Sequence, residues 1–389
     1  MSQTEYLIAG GGTAGHLLPG LAVAEELVAR GHDRDRITFV GSQRGPEADA
    51  VPDAGFEVVL LPGRGIQRRL SWQNVLSALQ LLRAVFTGIA LVRRRRPRVV
   101  LVLGGYASVA CAAGAVLWRV PIVVADQNAR AGAVNRLAGR FARACAVPFA
   151  STDLPHAEVT GNPVRPEFVE MGRQRDPQGA RVRLGLPREA TVLAVFAGSL
   201  GARSINRAVW GAVGAHWSGP RLTVHHVIGD RDWQTRPTDL VVADGIDYRP
   251  VRYEHRMADL MAAADLVVCR AGGTTVAELT VMGTPAILVP LPIATRDHQS
   301  ANAAELVALG AAVSVPDAEL DPARFASEVI AMVSDPARLE SMAAAAAQAG
   351  HPQAASSIAD LLEAHGRRSD AGTGNGAGTG NGGGRPDGR

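Results

Sequence analysis

Glycine-rich turns that could bind phosphate are the features of this 389-residue chain most suited to chemistry. The first is Gly10-Gly-Gly-Thr-Ala-Gly15, which follows the apolar run 6–9. Its G-x-G-x-x-G spacing is typical of dinucleotide sites, because backbone N–H groups at a helix N-terminus bind phosphate. Such a site also needs an acidic residue at the end of the second strand, but the run 37–40 ends in Gly41-Ser42-Gln43. The motif alone therefore leaves two interpretations open, an anion site and close packing of strand against helix.

His16 directly follows this turn and stands at the start of the predicted helix. The partial positive charge of a helix N-terminus lowers the pKa of an imidazole, so the ring stays neutral and able to accept a proton. A single histidine is more often structural than catalytic. The position just after the glycine turn, where the side chain would project into a cleft, favours a catalytic base.

Two further glycine turns lie in the second half of the chain, each between a predicted strand and a predicted helix. They are Ala197-Gly-Ser-Leu-Gly-Ala-Arg203 and Ala271-Gly-Gly-Thr-Thr275. Backbone N–H groups and Ser or Thr hydroxyls at a helix N-terminus bind phosphate oxygens. Neither turn has the lysine of a nucleotide-hydrolysing P-loop, so the pair favours binding of a diphosphate, as in a nucleotide sugar. Turns that only reverse the chain are the alternative.

Glu278 stands three residues after Thr275, nearly one helical turn further along the chain. Its carboxylate is within reach of the ribose of a nucleotide whose phosphates lie on the turn. A capping box with Thr275 as N-cap explains the same spacing equally well. The residues alone do not separate these two interpretations.

Metal ligands do not cluster in the sequence. The three cysteines are widely spaced, and the pairs Asp33/Asp35 and Asp230/Asp232 do not end apolar strands beside a glycine turn. We therefore predict neither a catalytic metal nor a cofactor. The absence of a disulfide framework fits a reducing compartment, and export is not expected because the first residues lack the pattern of a signal peptide.

Apolar runs that end in glycine alternate with helical patterns, which predicts an α/β fold with parallel sheets. The pattern restarts after Gly161, so we predict two Rossmann-like domains with parallel sheets facing across an interdomain cleft. The glycine-rich end has no apolar period and is predicted to be disordered. The predicted segments are an N-terminal domain at 1–163, a C-terminal domain at 164–346, a C-terminal helix at 347–365 and a tail at 366–389.

The net charge of +3 conceals a strongly basic segment. Residues 58–125 contain ten arginines and no acidic residue, which predicts an anionic partner, either nucleic acid or a membrane. The apolar stretch 75–92 approaches the length of a transmembrane helix, but Arg83 near its middle argues against spanning. We predict a helix that lies on an anionic membrane surface, framed by Arg68 and Arg69 before it and by the arginines at 93–96 after it.

Six motifs, in order, resemble the MurG family of peptidoglycan N-acetylglucosaminyltransferases. The resemblance runs from about residue 6 to residue 362, and only the tail lies outside it. One motif departs from the family, which usually reads His-Glu-Gln-Asn where this chain reads Ala-Asp-Gln-Asn. The motifs are Gly11-Gly-Thr-Ala-Gly-His16, Gly104-Gly-Tyr-Ala-Ser108, Asp126-Gln-Asn128, Gly161-Asn-Pro-Val-Arg165, Gly198-Ser-Leu-Gly-Ala-Arg203 and the segment from Arg270 to Glu278.

The resemblance implies a GT-B fold and an inverting glycosyltransferase. Its reaction would transfer N-acetylglucosamine from UDP-N-acetylglucosamine to the muramoyl 4-hydroxyl of lipid I, forming lipid II in peptidoglycan biosynthesis. His16 is the candidate base. The resemblance assigns the diphosphate, the ribose and the sugar of the donor to the following residues: Thr13, Ala14, Gly15, Asn128, Arg165, Ser199, Gly273, Thr274, Thr275, Glu278, His298 and Gln299.

The expected partners are UDP-N-acetylglucosamine, lipid I, other cell-wall synthesis proteins and the anionic membrane surface on its cytoplasmic side, where the protein would be peripheral. Nucleic acid is not expected. The departure at Asp126 leaves open a diverged GT-B glycosyltransferase that acts on another lipid or on a soluble natural product. Two rivals come from other classes. An NAD-dependent oxidoreductase would need the missing acidic residue, and a nucleic-acid-binding protein would leave the second-half glycine turns unexplained.

Overall fold

A computed structural model describes residues 4–43, 45–62, 72–198 and 201–367, with the side chains of 14 and 72–82 left aside. Its described part contains two sheets whose strand pairs are all parallel, which confirms the predicted fold class. The first sheet has the order β3-β2-β1-β4-β5-β6-β7. Its strands are β1 (Tyr6–Gly10), β2 (Ile37–Ser42), β3 (Glu57–Leu61), β4 (Val99–Gly104), β5 (Ile122–Ala125), β6 (Ala144–Val147) and β7 (Ala157–Val159).

The second sheet has the order β10-β9-β8-β11-β12-β13 among the described residues. Both sheets thus reverse their order of strand addition once, between β1 and β4 in the first and between β8 and β11 in the second. Open parallel sheets bind ligands beyond the strand ends at such reversal points. The strands are β8 (Val192–Phe196), β9 (Leu222–Val227), β10 (Ile246–Val251), β11 (Leu266–Cys269), β12 (Ala286–Leu288) and β13 (Ala312–Ser314).

Helices connect the strands and cover both faces of each sheet, so the inner strands are buried and mostly apolar, whereas the edge strands β3, β7 and β10 are partly exposed. The first-domain helices are α1 (Ala14–Ala29), α2 (Glu47–Asp53), α3 (Trp72–Arg95), α4 (Tyr106–Leu117) and α5 (Ala133–Gly139). The helices that follow are α6 (Pro166–Gln174), α7 (Pro177–Arg183), α8 (Arg203–Gly211), α9 (Asp230–Trp233), α10 (Met257–Ala263), α11 (Gly273–Met282), α12 (His298–Ala308), α13 (Pro322–Val333), α14 (Pro336–Gln348) and α15 (Ala354–His365).

The last helix, α15, returns to the first domain, where apolar residues such as Ile358 and Leu362 join the core beneath α1. Arg30 of α1 fixes it by donating to Asp360 at 2.7 Å and to Glu363 at 2.8 Å. The chain therefore passes between the two sheets twice. The numerical domain boundaries stay a prediction, and the predicted tail lies outside the described residues except for its first two positions.

The apolar stretch 75–92 lies within α3, as predicted for a single helix. Gly88 lets α3 pack closely against α4, since a Cβ at this position would lie 2.6 Å from the Cβ of Ala110. Among the helices of the described residues, none combines the length and the apolarity that crossing a bilayer requires.

Candidate active site

His16 lies on the first turn of α1 and lines the cleft between the two sheets. Its Nδ1 atom is 3.4 Å from the carbonyl oxygen of Gly11 and 3.2 Å from the hydroxyl of Thr13. A carbonyl can only accept, so we assign the ring proton to Nδ1 and a free lone pair to Nε2. Burial lowers the pKa of His16, although the hydrogen bond to Gly11 opposes this effect. The ring is therefore neutral at pH 7 and able to accept a proton at Nε2.

Glu47 supports the first glycine turn from behind. Its side chain is buried, with 2% of the residue exposed, and its Oε1 atom accepts a hydrogen bond from the backbone N–H of Gly12 at 2.6 Å. A Cβ on the neighbouring Gly45 would lie 1.8 Å from Oε2 of Glu47, so a larger residue there would displace the carboxylate. That Oε2 atom is itself buried and has no hydrogen-bond partner among the described residues. A single carboxylate oxygen thus holds the turn that orients His16.

The turn that precedes α4 comes so close to the first glycine turn that only glycine fits. A Cβ on Gly105, whose φ is 82°, would lie 2.4 Å from the carbonyl oxygen of Gly11. A Cβ on Gly104 would lie 2.9 Å from Nε2 of His16. Ser108 joins β1 to this turn by donating to the carbonyl of Ala9 at 2.6 Å. Glycine therefore keeps the space in front of the Nε2 lone pair open.

Asp126, the residue that departs from the family pattern, shapes the loop that presents Asn128. One carboxylate oxygen accepts from the N–H of Asn128 at 3.0 Å, and the other accepts from the N–H of Gly132 at 2.9 Å and the amide of Asn135 at 2.8 Å. The short carboxylate is thus fully used within its own loop.

Asn302 of α12 joins this loop to the second domain. Its side-chain oxygen accepts from the N–H of Ala129 at 2.8 Å. Its amide donates to the side chain of Asn128 at 3.1 Å and to the carbonyl of Ala271 at 3.0 Å. The predicted donor-binding residue Asn128 is therefore held by a second-domain side chain.

The turn before α11 lies against the first domain. A Cβ on Gly273 would lie 2.0 Å from the carbonyl oxygen of Gln127, so the approach of the two domains requires glycine here. The helix begins at Gly273 with Gly272 as its N-cap. Thr275 therefore lies inside the first turn, and the capping-box interpretation of Glu278 is wrong.

Glu278 and Arg165 lie together, as the prediction of a shared nucleotide site requires. The distance from Oε1 of Glu278 to Nη2 of Arg165 is 3.6 Å, and the carboxylate side chain is 12% exposed. Burial raises the pKa of Glu278 to about 7, although Arg165 opposes this shift. Arg165 also pairs with Glu167 at 3.0 Å and lies over the ring of Phe168. The carboxyl is thus poised between its two protonation states near neutral pH.

His298 and Gln299 begin α12 at the edge of the cleft. Nδ1 of His298 lies 2.7 Å from the carbonyl oxygen of Thr295, which leaves its Nε2 atom free. The side-chain oxygen of Gln299 accepts from the N–H of Leu291 at 2.9 Å, so it closes the preceding loop. The two residues between Thr295 and His298 are Arg296 and Asp297, and they have φ values of 56° and 54°.

A buried chain of hydrogen bonds runs beneath the second-domain turn at 198–203. Trp210 donates to Tyr248 at 3.1 Å, and the hydroxyl of Tyr248 lies 2.9 Å from Nδ1 of His226. Nε2 of His226 lies 3.0 Å from the side-chain oxygen of Asn206, whose amide donates to Asp232 at 3.0 Å. Since that amide is a donor, Nε2 carries the histidine proton and every link has one direction.

The end of this chain lies at the glycine turn. Asp232 accepts from Arg231 at 2.7 Å and from Arg203 at 3.4 Å, and Arg231 donates to the carbonyl of Gly201 at 3.1 Å. Burial lowers the pKa of His226 to about 3, with a smaller contribution from His225. His226 therefore stays neutral, and the described end of the turn rests on a complete network.

The described residues enclose an interdomain cleft with a volume of about 490 Å³. Arg165, Thr275, Glu278 and Gln299 do not line this cleft, Ser199 lies outside the described residues, and of Ala14 only the backbone is described. Within the described chain, no cluster of three His, Cys, Asp or Glu side chains could hold a metal ion. The predicted site residues that line the cleft are Thr13, Gly15, His16, Asn128, Gly273, Thr274 and His298.

Sequence reasoning missed the residues that support these turns. Glu47 had a weak signal, an acidic residue directly after Gly45-Pro46 at the start of a short helix. Asn206, Asn302 and Arg296 had none, because their partners are distant in the sequence. Asp232 was considered only as a metal ligand, whereas it binds arginines.

Two family models match the chain. Residues 6–147 match the glycosyltransferase family 28 N-terminal domain, and residues 192–358 match the glycosyltransferase family 28 C-terminal domain. The matches cover the two halves of the cleft.

Proteins named UDP-N-acetylglucosamine–N-acetylmuramyl-(pentapeptide) pyrophosphoryl-undecaprenol N-acetylglucosamine transferase are similar over almost their whole length. The Desulforudis audaxviator protein is 38% identical, with 92% of this chain and 97% of the relative covered. The protein of Anaeromyxobacter sp. strain Fw109-5 is 41% identical, with 91% of this chain and 92% of the relative covered.

Solved structures share the fold. Acinetobacter baumannii MurG superposes with a TM-score of 0.73 at 25% identity, and the match covers 92% of this chain and 99% of that one. UDP-GlcNAc 2-epimerase from Neisseria meningitidis matches with a TM-score of 0.64 at 14% identity, over 93% of this chain and all of that one. This second likeness concerns the fold alone.

Proposed function

The chain belongs to glycosyltransferase family 28, and from this premise we propose that it transfers N-acetylglucosamine from UDP-N-acetylglucosamine to the muramoyl 4-hydroxyl of lipid I. The product is lipid II, so the reaction belongs to peptidoglycan synthesis. The observation that carries the proposal is the cleft itself. It brings His16 of the first domain, with its Nε2 lone pair, and the glycine turn of α11 in the second domain to one cavity.

The proposed chemistry is an inverting displacement. The acceptor's 4-hydroxyl oxygen forms a bond to the anomeric carbon of the sugar, while the bond from that carbon to the UDP oxygen breaks. His16 takes the hydroxyl proton at Nε2, and the bonding electrons leave with UDP. A neutral ring is required for this role, and the lowered pKa of His16 supplies it.

We assign donor binding mainly to the second domain. The N-terminus of α11 and the glycine turn at 198–203 would bind the diphosphate through backbone N–H groups, and Thr274 would add a hydroxyl. Glu278 would bind the ribose hydroxyls, with Arg165 beside it as a positive charge for the developing UDP anion. His298 and Gln299 are proposed to contact the sugar from the end of α12.

Turnover with a defined pair of substrates tests the function. We expect UDP release when the protein is incubated with UDP-N-acetylglucosamine and a water-soluble lipid I analogue, and a disaccharide product by mass spectrometry. No release with this pair would overturn the proposal. Release with a soluble natural-product acceptor instead would support the diverged glycosyltransferase, and protection by NADH rather than UDP against thermal unfolding would support the oxidoreductase.

We also propose that a basic edge of the first domain binds the anionic membrane surface. At this edge exposed arginines surround exposed aromatic side chains, and Arg93 lies over the ring of Trp118 at 5.0 Å. Phe86 on α3 and Phe141 after α5 are 69% and 57% exposed. Two adjoining surface hollows, which share Val120, connect Arg93 and Trp118 to Phe141, and Phe86 lies on α3 seven residues before Arg93. We define the basic edge as Phe86, Arg93, Arg96, Trp118, Arg119, Arg140, Phe141 and Arg143.

The basic edge differs in some of its residues from the membrane-binding surface that the sequence predicts. Arg95 is paired with Glu57 and so contributes less free charge than its neighbours. Arg119, Arg140 and Arg143 come from other parts of the chain, near the ends of α4 and α5. Arg68 and Arg69 of the prediction lie outside the described residues. The basic edge thus combines apolar and cationic groups as interfacial membrane binding requires.

Co-sedimentation with vesicles tests the basic edge. Replacing Arg93, Arg96 and Arg119 with serine should abolish binding to phosphatidylglycerol vesicles while activity on a soluble acceptor is retained. The matched control replaces the exposed second-domain residues Arg207, Arg324 and Arg338 with serine and should bind like the wild type. Equal vesicle binding by both variants, or wild-type binding that ignores salt concentration, would contradict the proposal.

A further inference from the structure

Two arginines cross between the domains beside the cleft in a reciprocal arrangement. Arg296 of the second domain donates to the carbonyl of Ala131 in the first. Arg130 of the first domain donates to the carbonyl of Arg296 at 3.1 Å. The Arg130 guanidinium thus binds the backbone of Arg296 itself, and the Arg296 guanidinium binds the backbone of Ala131, the residue after Arg130. Such contacts exist only when the two domains are close together.

Two carboxylates complete this arrangement, one from each domain. Asp153 accepts from Arg296 at 3.2 Å and from the N–H of Ala131 at 3.2 Å. Asp297 lies 3.7 Å from Nη1 of Arg130. The pKa of Asp153 is lowered, because the hydrogen bonds from Arg296 and Ala131 outweigh its partial burial. Asp153 is therefore ionised at neutral pH and able to hold both groups.

The second-domain side of the contact is a strained turn. Arg296 and Asp297 both have left-handed backbone conformations, with φ, ψ of 56°, 20° and 54°, 36°. Non-glycine residues adopt this conformation at a cost, and they keep it where surrounding contacts hold it. The contacts here are the Arg296 side chain and the Arg296 carbonyl, both bound by the first domain.

This turn determines where α12 begins. His298 follows it directly, and its Nδ1 atom is fixed by the carbonyl of Thr295 at 2.7 Å, the residue that opens the turn. Relaxation of the turn would therefore move both His298 and the carbonyl that orients it. His298 lines the cleft together with His16 of the first domain.

We propose that Arg296, together with Arg130 and Asp153, forms an interdomain clasp that positions His298 for the donor sugar and stabilises the closed cleft. Arg296 is a positioning residue, since it acts through the turn it holds. The clasp rests on the proposed function for the identity of the donor. It couples domain closure to the assembly of the sugar site, so donor affinity depends on the fraction of closed molecules.

Donor kinetics test the clasp. Arg296→Ala should raise the KM for UDP-N-acetylglucosamine about tenfold, because fewer molecules are closed before the donor binds, while kcat at saturating donor changes less than about threefold. Arg296→Lys, which can still reach Asp153, should give an intermediate KM. Arg338→Ala, an exposed arginine of α14, is the matched control and should leave both constants unchanged.

A double variant tests whether the residues act together. The rise in KM for Arg296→Ala with Asp153→Ala should be smaller than the product of the two single effects, since both remove the same contact. Multiplicative effects, or a variant whose thermal stability falls while KM is unchanged, would overturn the clasp.

A readout without substrate separates the clasp from the proposed function. By small-angle X-ray scattering, ligand-free Arg296→Ala should have a larger radius of gyration than the wild type and Arg338→Ala. Equal radii for all three would overturn the clasp even if turnover is normal. A larger radius in Arg296→Ala, in a protein that shows no turnover with UDP-N-acetylglucosamine and lipid I analogue, would retain the clasp and reject the function.

Discussion

The first glycine turn, on the first-domain side, and the turn at 198–203, on the second-domain side, are supported in different ways. Behind the first turn, one buried carboxylate, Glu47, accepts one backbone hydrogen bond, and within the part of the chain that the structure describes its second oxygen has no hydrogen-bond partner. Beneath the described end of the second turn, a chain of hydrogen bonds runs from Trp210 to Asp232 with each inner link satisfied. Fully satisfied buried networks make a region rigid.

The difference matches the tasks that we propose for the two sides. The second domain would bind a diphosphate of constant shape, for which a fixed set of donors is an advantage. The first domain carries His16, whose ring must accept a proton and lies beside an acceptor that changes during the reaction. We expect the first side to control rate and the second to control affinity and stability.

Replacement of His16 gives the largest expected effect and tests the first side. His16→Ala should lower kcat roughly a hundredfold or more, with donor affinity nearly intact, because the proton acceptor is lost. Steady-state kinetics and calorimetric titration with UDP measure the two quantities. An unchanged kcat together with lower thermal stability would show that His16 is only structural and would remove the assignment of rate to the first side.

Glu278 tests the second side. Glu278→Gln should weaken UDP binding by about tenfold, since the charge-assisted hydrogen bonds of a carboxylate are stronger than those of an amide. Because the pKa of Glu278 is raised to about 7 by burial, wild-type UDP affinity should increase as the pH rises through 7. The variant should lose this part of the pH dependence. Calorimetry at pH 6 and pH 8 measures both.

The same raised pKa has an opposite consequence for folding. The folded state holds the Glu278 proton at pH values where the unfolded state has released it, so this residue lowers stability as the pH rises from about 4.5 to about 7. Glu278→Gln should therefore melt at a higher temperature than the wild type at pH 8. A lower melting temperature would show that the carboxylate is needed for the fold.

His226 tests the network beneath the second turn. His226→Phe leaves the Tyr248 O–H without an acceptor and the Asn206 side-chain oxygen without a donor, which should cost about 1–3 kcal/mol of folding free energy. UDP affinity should fall severalfold and kcat should stay nearly constant. The pKa of His226 is depressed to about 3, so its stabilising contribution is complete above about pH 6.5 and is lost as the pH falls toward 3.

Thermal unfolding between pH 5 and pH 7.5 measures this dependence. The loss of stability on acidification should be shallower in His226→Phe than in the wild type. Equal slopes would mean that His226 does not contribute to the acid sensitivity of the second domain.

Glu47 gives the smallest expected effect. Glu47→Ala should lower kcat severalfold, because the N–H of Gly12 loses its acceptor and the turn that orients His16 loosens. Glu47→Gln keeps an oxygen for Gly12 and should restore most of the rate. If both variants lose the same activity, the hydrogen bond from Gly12 does not control the rate. The proposed contrast between Glu47 and the network beneath the second turn would then be wrong.

The sequence by itself determined the order of strands and helices and the turns that form the site. The apolar runs 6–9 and 37–40, each followed by glycine, predicted β1 and β2 within one or two residues, because buried parallel strands need apolar side chains on both faces. The resemblance of six motifs to one family predicted the fold and the reaction class. These signals lie within short segments of the chain, so they do not depend on how the two domains pack against each other.

Only the tertiary structure decided how the turns are held and how the domains meet. Glu47 binds a residue 35 positions earlier, His226 binds one 20 positions earlier, and Arg296 binds Asp153 across 143 positions. Glu47, His226 and Arg296 are of polar residue types that are common on protein surfaces. Neither their spacing nor the composition of the chain distinguishes them from solvated residues. Glu278 illustrates the same limit, because the start of α11 decided against a capping box. Burial and the direction of a hydrogen bond are decided when distant segments pack together. Such packing produces no regular spacing of residue types in the sequence, so the sequence alone does not predict it.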